Sequence, residues 1–341
     1  MMATSTTTGR VPAIDFTKGA LVLFMVLYHW LNYFIATQGD FYRYLRFVTP
    51  SFIFVTGFLV SNVYLSKYDI SDSRLPTRLM QRSLKILGVF IFLNVIIGLL
   101  FHESYGGKIV LGQLSLRNLV AVYVTGNTAV AGNGKAAAFY VLVPISYLLL
   151  FSAAFLIASR FYKYVFHVVC LFFLLGIVIL DLRGFESTNL ELLTIGFLGV
   201  ILGYVPLETI NNFVRHPYTL VSAYLCYIIA ITVWNVVYPL QVIGVCLSVM
   251  VIYLVGARNG EPGKTRRLII LLGKYSLFGY IAQIAVLQLL YRGLRYVDLG
   301  TGALGISFVG AFALTIVSVA AVHRARAKST TVDGLYKVVF A

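Results

Sequence analysis

Charge is scarce in this chain: only 11% of its 341 residues are charged, against roughly 25% in an ordinary soluble domain. With 60% hydrophobic residues, that shortage excludes a water-soluble fold. Cysteine is nearly missing too. Cys170, Cys226 and Cys246 all fall in apolar runs, without CxxC pairing or metal-ligand spacing, so no metal site is expected and the three read as buried free thiols. The first eighteen residues, MMATSTTTGRVPAIDFTK, lack an apolar signal-peptide core, and no small-residue cleavage site follows the apolar stretch behind them. The first helix is therefore expected to remain in the mature protein. No repeat of fixed period is visible, which leaves an inverted-repeat transporter without support.

What the chain has instead is a succession of apolar runs of about 20 residues, the length that crosses a bilayer core. They predict an all-α integral membrane protein of about ten transmembrane helices, at 19–37, 47–66, 86–102, 138–158, 164–181, 190–207, 218–236, 240–257, 268–291 and 303–323. One membrane domain is expected over residues 1–341, with a polar N-terminal tail, 1–14, and a short C-terminal tail, 324–341. The net charge of +15 could suggest nucleic acid, but the basic residues lie in short loops between apolar runs, and topology explains them better. With both termini cytoplasmic, inner segments hold 19 of the 27 basic residues. The other eight are Arg43, Arg46, Lys108, Arg117, Lys135, Arg183, Arg292 and Arg295, so the positive-inside rule favours that orientation. The long outer loop from about 103 to 137 reads as a lid or re-entrant segment, or equally as an interfacial helix. Gly196, Gly199 and Gly203, at helical spacing, are expected to allow close helix packing.

The first span, DFTKGALVLFMVLYHWLNYF, carries Asp15 and Lys18 at its cytoplasmic end and His29 well within it. Eleven residues at ~100° each return Lys18 and His29 to within about 20° of one direction while climbing roughly 16 Å. Asp15, Met25, Asn32 and Tyr33 fall near the same stripe, so this helix presents a polar line that must face protein or water. Lys18 by itself is equally well a snorkelling anchor. His29 is harder to dismiss, because an ionisable group inside a span is functional by default, a structural hydrogen-bonding His being the alternative.

The run VPAIDFTKGALVLFMVLYH resembles the opening signature of the membrane-bound acyltransferases, the superfamily that holds the acyltransferase-three family and the heparan-glucosaminide N-acetyltransferase catalytic domain. There a basic residue, ten intervening residues and a His mark the first helix, and Lys18 and His29 match that spacing. PSFIFVTGFLVSNVY, from Pro50 to Tyr64, is similar to the second-helix element, and LGKYSLFGYIAQI, from Leu272 to Ile284, to the late "LG..SL..Y" element. Two departures matter. Lys18 stands where Arg is more frequent, which loses a bidentate fork but keeps the charge, and Gln283 stands where many relatives carry a second His.

The resemblance implies a transmembrane O- or N-acyltransferase moving an acyl group, usually acetyl, from cytoplasmic acetyl-CoA to a saccharide or similar polar acceptor at the outer face. It implies no permanently bound cofactor, only acyl-CoA as cosubstrate, and partners limited to that donor, a polar acceptor such as a glycan, and membrane lipid. A multi-pass protein of the cell (inner) membrane is the expected setting. His29 is the catalytic candidate, as general base or as acyl carrier. Lys18 with Arg78, Arg82 and Lys85, the last three at helical spacing, is the donor-binding candidate. A second inner cluster, Arg258, Lys264, Arg266, Arg267 and Lys274, competes with it, and ordinary positive-inside charge explains either. Asp15, Asn32, Tyr33, Arg43, Arg46 and Gln283 are the supporting or acceptor candidates, Arg43 and Arg46 as an aromatic and basic outer rim that Arg292 and Arg295 repeat. His102, Glu103 and Tyr105 could join an acceptor site or be a solvated loop end; His167 reads as a buried polar contact, and His216 as a loop residue. The competing function is a transporter of a small polar solute or lipid-linked sugar, which should show paired, broken helices.

Overall fold

Helices that are apolar on most faces bury one side against each other and leave the rest to lipid. The computed structural model describes residues 11–36, 39–65, 74–100, 120–126, 129–130, 134–135, 139–162, 164–214, 217–234, 236–258, 263–294 and 302–340. Apart from turns and short connections, these residues are helical except for one antiparallel pair of two-residue strands, Ala129–Val130 and Gly134–Lys135. Its helices are α1 (Pro12–Phe34), α2 (Tyr42–Leu45), α3 (Val48–Leu59), α4 (Arg74–Leu100), α5 (Leu142–Ser159), α6 (Val165–Leu182), α7 (Thr188–Leu202), α8 (Leu207–Val214), α9 (Pro217–Val233), α10 (Tyr238–Ala257), α11 (Lys264–Lys274), α12 (Ser276–Leu294), α13 (Gly302–Lys328) and α14 (Thr330–Phe340).

Among the described residues, eight helical stretches are long and apolar enough to cross a membrane: 12–34, 42–64, 74–96, 142–159, 165–182, 238–257, 276–294 and 302–328. The span expected at 190–207 is broken, α7 and α8 meeting at 99°. Pro206 explains the break, since it lacks an N–H and pushes Val205 out of the helical region. The span expected at 218–236 is α9, whose 17 residues extend about 26 Å, just short of a ~30 Å hydrocarbon core. All ten apolar runs are thus helical, eight of them full spans by length and composition.

Three boundaries differ from expectation. The first helix starts at Pro12, inside the supposed polar tail, because Pro is pre-organised for a first helical turn and Ala13 and Ile14 are buried. The run expected at 268–291 is two helices: α11, amphipathic and basic, ends at Tyr275, and the spanning part begins at Ser276. The C-terminal tail is mostly helical, α13 continuing to Lys328 and α14 following after Ser329. Asp333 ties α14 back to α13 through Arg326, at 2.6 Å, and pairs with Lys337 one turn on within α14, at 2.6 Å, with the Arg326 guanidinium 4.0 Å from the Tyr336 ring centre and 5.3 Å from that of Tyr275. The hydrogen bonds from Lys337 and then Arg326 hold the Asp333 carboxyl below its ordinary range. A depressed carboxyl stabilises above its unfolded value, so this tie is complete at neutral pH and is lost as the pH falls through the folded value.

The chain forms two compact units. In the first, Met1–Phe52 with Glu208–Val338, α1 is central and packs on α10, α11, α12 and α13. Its backbone touches that of α11: a Cβ at Gly19 would lie 1.9 Å from the Ile269 carbonyl oxygen, and one at Gly273 only 1.6 Å from that of Asp15. In the second, Ile53–Leu207 with Val339–Ala341, α4 packs on α5, and α7 lies against α5, α6 and the π-helical turn Val60–Leu65. Gly196, Gly199 and Gly203 all sit at close backbone approaches, to Gly57, Phe54 and Phe58. Ser61 Oγ donates to the Val200 carbonyl at 2.6 Å. Of the 103–137 loop, residues 120–126 include a second π-helical turn, Ala121–Thr125, which Asn189 Nδ2 anchors at the Tyr123 carbonyl, 3.0 Å. Most of the remainder, with Glu103, Tyr105, Lys108 and Arg117, lies outside the described residues, as does His102.

A candidate active site on the first helix

Asp15 falls in the first turn of α1, where a carboxylate complements the exposed N–H groups of the helix start. Three residues on, Lys18 closes an ion pair with it, Nζ to Oδ1 2.6 Å. Asp15 is only 5% exposed, held beneath the Gly273 backbone, and its Oδ2 has no hydrogen-bond partner among the described residues. The Lys18 side chain keeps 20% of its surface. Lys18 is therefore neither a bare snorkelling anchor nor a lone cation: a neighbouring carboxylate fixes it where it stands.

His29 stands eleven residues further along, half-buried, with its ring edge-on to Tyr28 at 5.0 Å between centres. Tyr28 in turn meets Tyr42 of α2 at 5.8 Å. The next residue, Trp30, is fixed by its indole N–H, which donates to Ser307 Oγ at 3.0 Å, and so holds this turn against α13. Asn32 Nδ2 donates to the Tyr28 carbonyl at 2.8 Å, inside its own helix. Tyr33 accepts at its hydroxyl from Gln288 Nε2 of α12. The polar stripe of α1 is thus real: Asp15 and Lys18 hold each other, Asn32 is held by its own backbone and Tyr33 from α12.

Gln283 lies on α12 in this same unit, with 0% exposure and no hydrogen-bond partner for either its side-chain nitrogen or oxygen among the described residues. Arg43 and Arg46 behave otherwise. Arg43 reaches the Thr232 carbonyl at 3.3 Å and Asp40 at 3.7 Å, and Arg46 donates to the Val236 carbonyl at 2.8 Å. Both arginines satisfy carbonyls at and beyond the end of α9, a capping duty that the sequence did not reveal. Arg295 lies outside the described residues.

Of the donor candidates, Arg78, Arg82 and Lys85 are exposed along α4, in the second unit. Arg82 also donates to the Tyr64 hydroxyl at 2.5 Å. In the competing cluster, Arg266 caps α10 through the Gly256 carbonyl at 2.7 Å. His167 corrects its expectation: it is exposed rather than buried, stacked on Tyr204 at 6.1 Å. His216 lies outside the described residues.

The cysteines are all free, but only Cys170 is buried, and Cys226 is exposed. That exposure has a plain cause. Val221, Leu225, Ile229 and Val233 form an exposed apolar stripe along the same helix, the side such a helix turns to lipid. No group of three or more potential metal ligands is found among the described residues. His323, which sequence periodicity left at a span end, shares a 3.0 Å hydrogen bond with the Tyr275 hydroxyl, beside the break between α11 and α12.

A family model described as an acyltransferase domain matches residues 11–323, from the first turn of α1 almost to the end of α13. No curated protein and no solved structure matches the chain. With nearly the whole chain inside that match and its helices apolar and long enough to span a bilayer, this multi-pass membrane protein belongs to the acyltransferase-three family of membrane acyltransferases.

Proposed function

We propose that the protein transfers an acetyl or other short acyl group from cytoplasmic acyl-CoA to a hydroxyl or amine of a saccharide-like acceptor at the outer face of the cell membrane. The observation that carries this reading is His29, half-buried on the α1 face that also holds the Asp15–Lys18 pair about 16 Å below it. The acceptor oxygen or nitrogen attacks the thioester carbonyl carbon while the imidazole of His29 takes its proton. The tetrahedral adduct then collapses, the C–S bond breaks, and His29 returns the proton to the departing thiolate. The products are an acyl ester or amide and free CoA. Lys18, oriented by Asp15, would meet the donor at the cytoplasmic end.

Two experiments test this reading. Purified protein should release CoA thiol from acetyl-CoA when a glycan acceptor is supplied, and Lys18→Ala should raise the KM for the donor more than it lowers folded yield. A validated, folded preparation that neither binds acyl-CoA nor releases CoA would favour a transporter instead. On that side stands one broken span, α7–α8, with no second bent pair among the described residues. The proposed orientation, with both termini cytoplasmic, predicts that a tag after Lys328 is reached only from the inner side; labelling from outside intact cells would overturn it.

A further inference from the structure

Helices α1 and α12 run side by side in the same direction. A Cβ on Gly279 would lie 3.3 Å from Val22 Cγ1, and Leu287 packs into one buried cluster with Val26 and Trp30. Gly279, Gln283 and Leu287 are spaced by four, as are Val22, Val26 and Trp30, so Gln283 falls midway along this seam. Its depth is that of Val26, about 4–5 Å along the axis from His29, and His29 itself lies about 20° around α1 from Val22. At this point in an otherwise apolar seam stands a carboxamide that is wholly buried, with neither its nitrogen nor its oxygen partnered among the described residues.

A buried amide without partners is unfavourable relative to one that is satisfied, and an apolar side chain of similar shape avoids that cost. Leu or Met would serve the packing better, so the packing does not call for a carboxamide here. Something absent from the free protein would make use of it. Resting on the reading above, we infer that Gln283 is a substrate-contacting residue: its Nε2–H donates to the acyl carbonyl oxygen and stabilises the negative charge that grows there when the acceptor attacks. No proton changes hands in this contact. The carbonyl C=O becomes C–O⁻ as the new bond forms, and reverts when the C–S bond breaks. The Gln283 Oε1 is left for an N–H or O–H of the bound donor or acceptor. This assigns a division of labour, in which His29 moves the proton and Gln283 holds the oxygen.

The test is Gln283→Met in the full-length, purified protein, assayed for CoA release with saturating acetyl-CoA and acceptor, and by thermal unfolding without substrate. The expected result is a kcat lowered by about a hundredfold or more, as for loss of one oxyanion donor, a donor KM changed only a few-fold, and an unfolding temperature equal to or above that of the wild type. A folded Gln283→Met protein with kcat close to wild type would overturn the inference while leaving the general function intact. If the wild type itself transfers no acyl group, the functional reading fails and takes this one with it. Should Gln283→Met not fold, Gln283→His decides, since a ring N–H can still donate from this position. A folded Gln283→His protein within tenfold of wild-type kcat supports the oxyanion role. Loss of its activity, or its failure to fold as well, makes Gln283 a structural residue or the holder of a buried water, and overturns the proposal.

Discussion

A His29→Ala protein should insert and fold as the wild type does, yet transfer acyl groups at least about a hundredfold more slowly, the usual cost of losing a general base. Folding is expected to survive because His29 is only half-buried and meets the Tyr28 ring edge-on within its own helix. The nearby packing is supplied by Val26 and Trp30, which are buried against Leu287 and Ala311. The rate of the wild type should fall in acid as the imidazole takes up a proton, and that limb should vanish in the variant. His29→Gln separates roles further, since it keeps a hydrogen-bonding group but accepts no proton at these pH values. If His29 were structural, the loss would appear in the yield and unfolding temperature of the purified protein, with turnover per folded molecule intact. Near-normal turnover in well-folded His29→Ala would remove the mechanism.

Gly273→Ala should be the most damaging single methyl group that can be added to the first unit. Its Cβ would lie 1.6 Å from the Asp15 carbonyl oxygen and 2.6 Å from the carbonyl carbon, so the backbones of α1 and α11 must part. Overpacking a core usually costs about 1–3 kcal/mol because side chains give way; here the obstacle is backbone, and a loss beyond about 4 kcal/mol is expected. Thermal unfolding of the purified protein measures it. Gly293→Ala, on the neighbouring α12, is the control, because its added Cβ meets nothing within 4 Å. The Asp15–Lys18 pair sits at the same crossing, so any Gly273→Ala protein that survives should also use acyl-CoA less well. Equal unfolding temperatures for Gly273→Ala and Gly293→Ala would show that the two helices are not in backbone contact.

Much of this was legible without a structure. Apolar runs of membrane-spanning length announce helices in bilayer because nothing else satisfies the backbone there, and all ten expected runs are helical. The Lys18–His29 spacing also placed both residues on one face, since helical geometry is local and needs only a rise and a rotation per residue. Those features depend on neighbours a few residues apart, and one sequence contains them in full.

The tertiary structure alone decided which of these polar residues is held and which waits. Arg43 and Arg46 looked like a ligand-binding rim, but their partners are the carbonyls of Thr232 and Val236, some 190 residues away. Lys18 read equally well as a snorkelling anchor, yet the buried Asp15 pairs with it, under a Gly273 backbone whose closeness no hydropathy pattern conveys. Tyr275 interrupts what read as one continuous span. Gln283 gave no local sign that both its polar atoms would be buried without a partner. The physical reason is common to all four: periodicity fixes the direction in which a side chain leaves its own helix, whereas partnership and burial depend on which distant helix packs there, and that is decided by close packing across the whole chain.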